Sequence, residues 1–121
     1  MSTLLALLAL VPAAPYAWHM AGGTRAPEYT WGLDHYPVQA AFAVALVLTA
    51  LLAATSASRH ERVRWLPALT AAFSAAWMGV LSTLWPHRQG SFGTTWGWAA
   101  VAWAAAFVLA VAVEGRVADR A

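Results

Sequence analysis

Four stretches free of Asp, Glu, Lys and Arg divide this chain: residues 1–24, 36–58, 65–86 and 89–113. Each is long enough to cross a bilayer, because about 20 apolar residues rising about 1.5 Å apiece span the hydrocarbon core. With 61% hydrophobic and only 10% charged residues over 121 positions, the composition is not that of a water-soluble domain. A soluble enzyme, a nucleic-acid-binding domain and a disordered tail are thereby excluded. The predicted fold is an all-α membrane protein, an antiparallel four-transmembrane-helix bundle forming a single integral membrane domain over residues 1–121, with spans at about 3–20, 38–57, 65–85 and 95–113. The first stretch lacks the basic flank and small-residue cleavage site of a secretory signal and is read as a retained span.

The segments between spans carry the breakers and the charges. Pro12 and Pro15 predict a kink in the outer half of the first span. The longest loop, 21–37, holds Gly22, Gly23, Pro27, Gly32 and Pro37 together with Arg25, Glu28 and Asp34. A short basic turn at 58–64 joins spans two and three, a link at 86–94 joins spans three and four, and a polar tail runs over 114–121.

Orientation follows from arginine. Arg59, Arg62, Arg64, Arg116 and Arg120 fall on one side and only Arg25 and Arg88 on the other, which predicts both termini on the inner face of the cytoplasmic membrane, N-in and C-in. The arginines form no patch, so the formal charge of +2 is not a nucleic-acid signal. Tyr16, Trp18, Tyr29, Trp31, Tyr36, Trp85, Trp96 and Trp98 gather toward the outer side as an aromatic belt, with Trp65 alone at the inner one.

Small residues at spacings of four are the expected packing faces, since lipid gives helices no hydrophobic reason to associate. They are Ala41 and Ala45, then Thr49, Ala53 and Ala57 in span two; Ala68, Ala72 and Ala76, then Ala75, Gly79 and Thr83 in span three; and Ala102, Ala106 and Ala110 in span four. Thr70, Ser74, Trp77 and Leu81 share a further face of span three that is expected to point inward. The indole donors of Trp77 and Trp103 each need an acceptor in hydrocarbon.

The chemistry available is narrow. Without cysteine there is no disulfide, thiolate metal site or thiol redox relay. No ionisable side chain lies near the middle of a span, which argues against a proton relay or ion-coupled transport. No phosphate loop, hydrolytic triad or acid-base carboxylate pair is recognisable, which weighs against an enzyme.

His19, His35 and His87 stand at matching depth on the outer side. Three imidazoles suit zinc, copper or iron, with Asp34 or Glu28 orienting a ring from behind, and two could ligate a haem. A quinone head-group held by a histidine with Tyr36 or Asp34 is a variant. The spacing forms no motif, so the three are expected to stand apart, each turned to headgroups or bonded locally. His60, beside Glu61 in the basic turn, reads as a solvated neighbour of anionic lipid.

The leading expectation is a small non-enzymatic membrane subunit or scaffold with no cofactor, partnered by the lipid bilayer and by a larger membrane protein or copies of itself. The alternatives are a metal, haem or quinone protein using the outer histidines, and a small oligomeric pore or carrier for an uncharged solute.

Overall fold

The computed structural model describes residues 1–22, 29–30, 33–56, 61–88, 90–118 and 120, with backbone alone for 29–30, 33–34 and 61–63. Five helices account for nearly all of it: α1 (Ser2–Leu8), α2 (Leu10–Ala21), α3 (His35–Thr55), α4 (Glu61–Leu84) and α5 (Gly93–Ala118). The exception is a two-residue antiparallel ladder, β1 (Tyr29–Thr30) with β2 (Leu33–Asp34), in which Tyr29 faces Asp34. Four segments are long and apolar enough to span a membrane: Ser2–Ala21, His35–Thr55, Arg64–Leu84 and Gly93–Ala118. At most a third of any of these windows is buried within the chain, so most of the apolar surface faces outward.

Each span departs from its expected bounds for a local reason. The first is interrupted at Ala9, earlier than the kink expected in its outer half. Pro12 has no N–H to give the Leu8 carbonyl, and its ring crowds that same carbonyl. The turns on either side hold: Ala9 N–H donates to Leu5 O and Ala13 N–H to Ala9 O, both at 3.1 Å. Pro15 is carried inside α2.

Helix α3 starts at His35, not 38, because Pro37 falls in the first turn, where its missing donor has no intrahelical partner to lose. Residues 61–64 of the expected basic turn are the first turn of α4, which also carries Pro67 within it. Residues 114–118 of the expected polar tail continue α5. Residues 57–60, with Arg59, His60 and Ala57, lie outside the described residues.

Alanine dominates the interior. One cluster joins Ala6, Ala50, Ala53, Ala54, Ala68, Ala71, Phe107 and Val111, drawing together α1, α3, α4 and α5. A second, of Ala72, Ala75 and Ala104, packs with Leu46 and Val108. Helices α4 and α5 run antiparallel and approach most closely at Gly79 and Gly97. A Cβ on Gly79 would stand 2.5 Å from the Gly97 carbonyl oxygen, and one on Gly97 would stand 2.7 Å from that of Gly79. Neither position tolerates a side chain without moving backbone.

The small faces expected for span three are largely the packed ones: Ala68, Ala72, Ala75 and Gly79 are buried, while Ala76 and Thr83 are half-buried. Two other expected faces need correction. In span two Ala53 is buried as expected, but Ala41 and Ala45 are exposed, and the packed side of α3 also includes Ala40, Ala43, Val47, Ala50 and Ala54. In span four Ala110 is buried as expected, but Ala102 and Ala106 are exposed, and α5 also turns Gly97, Ala104, Phe107, Val111 and Gly115 inward.

The Trp77 face does not point inward as a whole: Ser74 and Leu81 on it are half-buried. Thr70 and Trp77 point outward, because tight contacts on the other sides of α4 admit alanine and glycine but not an indole. Thr70 satisfies its hydroxyl on the Leu66 carbonyl at 2.8 Å.

Candidate functional site

Three places among the described residues stand out: a set of polar contacts at each end and a groove between two helices. At the end formed by the last turn of α2, the first turns of α3 and the 85–92 link, Tyr16 is the hub. Its hydroxyl donates to the Gly90 carbonyl at 2.9 Å and lies 3.2 Å from Gln39 Oε1. Its ring meets that of Phe92 edge-on, centroids 4.8 Å apart. Gly90 is fixed here twice over: its φ of +82° disfavours any side chain, and a Cβ would collide with the Gln39 amide.

The link folds back on α4 through serine hydroxyls. Phe92 N–H donates to Ser82 Oγ at 3.1 Å and Gly93 N–H to Ser91 Oγ at 3.0 Å, while the Ser91 hydroxyl reaches the Ser82 carbonyl at 3.3 Å. Of the aromatics expected to line this side, Trp18, Trp85, Trp96 and Trp98 are exposed. Tyr36 is not: it is buried against Met20 and Ala40, where α2 crosses the start of α3.

The candidate metal ligands fall around this end. His19 is exposed in the last turn of α2, His35 opens α3 half-buried, and His87 is exposed in the link. Among the described residues, no group of three or more His, Asp or Glu side chains is placed to hold a metal ion. Glu28 lies outside the described residues, and Asp34 is described by its backbone in β2 alone.

At the opposite end the Glu114 carboxylate binds the start of α1. It accepts the Ser2 N–H at 2.8 Å, the Ser2 hydroxyl and the Met1 amino group. The first backbone donors of a helix have no intrahelical acceptor, and a carboxylate there also meets the positive end of the helix dipole. Beside it, the buried Arg64 guanidinium fills the space over Gly115, where a Cβ would overlap it, and stands 6.0 Å from the Trp65 ring. Deeper in, Trp103 stacks on Phe107 at 4.9 Å and donates its indole N–H to the Leu5 carbonyl at 2.8 Å. The donor in span four is thus satisfied within the chain.

The sequence reading treated Glu114 as tail and Arg64 as loop, and so missed both. The signal that could have found Glu114 is a lone carboxylate directly after an uncharged run, at the end to which Ser2 is also assigned.

The third place is the outward side of α4 and α5. An open groove of about 950 Å³ runs between the two helices, with Leu69, Ala72 and Ala76 on one wall and Val101, Ala105 and Val108 on the other. Along its edge Phe73 and Trp77 stack, centroids 6.2 Å apart and planes within 11°, and they are 71% and 55% exposed. Every lining side chain except Thr70 is apolar. The chemistry on offer is dispersion and shape, with no group to transfer a proton or bind a charge.

No protein-family model matches this chain, and neither does any curated protein or solved structure.

Proposed function

We propose that this protein is a small, non-enzymatic accessory subunit or scaffold of the cytoplasmic membrane, which works by packing laterally against a larger membrane protein or against a copy of itself. The observation that carries the reading is the open groove between α4 and α5 with its exposed Phe73–Trp77 edge, a surface built for contact and not for chemistry. In this reading the four spans form an antiparallel bundle with both termini cytoplasmic. The excess of arginine beyond the ends of α3 and α5 and around the start of α4 supports that orientation. Exposed Trp18, Trp85, Trp96 and Trp98 then seat the opposite end in the outer headgroup layer.

The test places a photo-crosslinking amino acid at Phe73, and at Leu48 on α3 as a control, in intact cells. Discrete protein adducts at Phe73 and lipid adducts alone at Leu48 are the expected result. Lipid adducts alone at both positions would overturn the reading.

A further inference from the structure

We propose that the occupant of the α4–α5 face is a second copy of this chain, paired in parallel about a two-fold axis along the membrane normal. The proposal rests on the lateral-packing reading above, and it names the partner.

Shape supplies the first argument. On one outward face a ridge, Phe73 with Trp77, stands beside a groove of about 950 Å³. A half-turn about an axis along the normal exchanges left for right and leaves depth unchanged, so each copy's ridge is brought opposite the other's groove. The depths agree, because a helical side chain leans toward the helix N-terminus and the Trp77 indole therefore covers the turn at Phe73. That level lies within the stretch of α4 that walls the groove, Leu66 to Ala76.

An indole in the wrong place supplies the second. Tryptophan in membranes favours the headgroup layer, yet Trp77 lies seven residues before Leu84, about 10 Å inside that end of α4. Among the described residues its N–H finds no acceptor, in contrast to Trp103. An unmet donor in hydrocarbon is costly. Alanine lines the partner's groove at Ala72, Ala76 and Ala104, and so small a side chain covers little of the helix backbone behind it. Trp103 already uses such an acceptor, since the Leu5 carbonyl that it reaches also receives the Ala9 N–H.

Area supplies the third. Leu66, Leu69, Phe73, Trp77 and Leu109 are each more than half exposed on this face. With aromatic side chains offering about 150 to 250 Å² apiece and leucine taken at the lower end of that range, the exposed parts total at most roughly 600 Å² per copy, or about 1,200 Å² for the pair. That is at the lower bound of stable interfaces, about 1,200 to 2,000 Å², so the dimer is reversible and depends on its aromatic ridge.

Because the chain has no cysteine, engineered thiols report cleanly. In native membranes, oxidation of Leu69→Cys, which sits four residues before Phe73 at the edge of the groove, is expected to give a disulfide dimer at least tenfold faster than Leu48→Cys. Fluorescently labelled protein diluted into phosphatidylcholine vesicles is expected to bleach in two steps. Trp77→Ala, which removes an exposed side chain, and Ala105→Phe, which fills the groove from an exposed position, are each expected to weaken pairing tenfold or more. Equal oxidation rates for the two thiols, single-step bleaching of the native chain, or pairing unchanged in both variants overturns the proposal. The Phe73 crosslink separates the two failures. An adduct with a different membrane protein sinks the dimer and leaves the lateral-packing reading standing, and the absence of any protein adduct sinks both.

Discussion

Glu114 holds the start of α1 through hydrogen bonds to a charged acceptor, which are worth about 1.5 to 3 kcal/mol when well shielded and less at the partial exposure seen here. Glu114→Ala is therefore expected to destabilise by about 1 kcal/mol and to speed amide exchange selectively over residues 2–8; protection there equal to the native chain would show that the carboxylate anchors nothing. Trp103→Phe keeps the ring against Phe107 and deletes the donor to Leu5. Interhelical hydrogen bonds in membranes average about 0.6 kcal/mol, so a small loss in a detergent unfolding titration is expected. That Trp103 required an acceptor was legible in the sequence, because an indole in hydrocarbon always does. Which acceptor was not, since Leu5 lies 98 residues away and only the fold brings it near. The histidines were equally legible as a residue type at one end. Whether imidazoles converge depends on loop geometry, which alternating spans do not encode.

At the scale of the helices, the Gly79–Gly97 contact makes the sharpest demand. Gly79→Ala places a methyl against backbone oxygen, and the overpacking is expected to cost about 1 to 3 kcal/mol. Ala106→Leu, on an exposed position of α5, is expected to leave thermal stability in detergent within about 0.5 kcal/mol of the native chain. A larger loss for Ala106→Leu than for Gly79→Ala would mean that α5 is rotated from the position described. The existence of each span was readable from its uncharged run. Which side of a span packs was best readable for α4, where Ala68, Ala72, Ala75 and Gly79 pack as expected although Trp77, expected inward, faces out. In α3 and α5 alanine recurs on every side, and lipid is as apolar as the interior, so the sequence holds no inside-outside contrast to distinguish Ala41 from Ala43 or Ala106 from Ala104. Helix ends were misjudged by a turn or two where charge was taken for termination. Arg64 and Glu114 both lie within helices, and Glu114 is bonded there to Ser2 across the molecule.

For the whole molecule, orientation is the property with the widest consequences, since a parallel pair requires every copy to insert the same way. His87→Cys and Ala118→Cys, both at exposed positions, sit at opposite ends of the chain's spans. In intact cells an impermeant maleimide is expected to label His87→Cys at once and Ala118→Cys only after permeabilisation. The reverse pattern would invert the topology.

The bond between Ser2 and Glu114 also has a history in time. It joins residues 112 apart in the chain, so the first span is made long before its anchor exists. At roughly 5 to 20 residues per second, synthesis leaves α1 unlatched for on the order of ten seconds while three further spans follow it. The Leu5 acceptor waits nearly as long for Trp103. A ribosome stalled before residue 103 thus leaves the first span with neither the Glu114 nor the Trp103 contact.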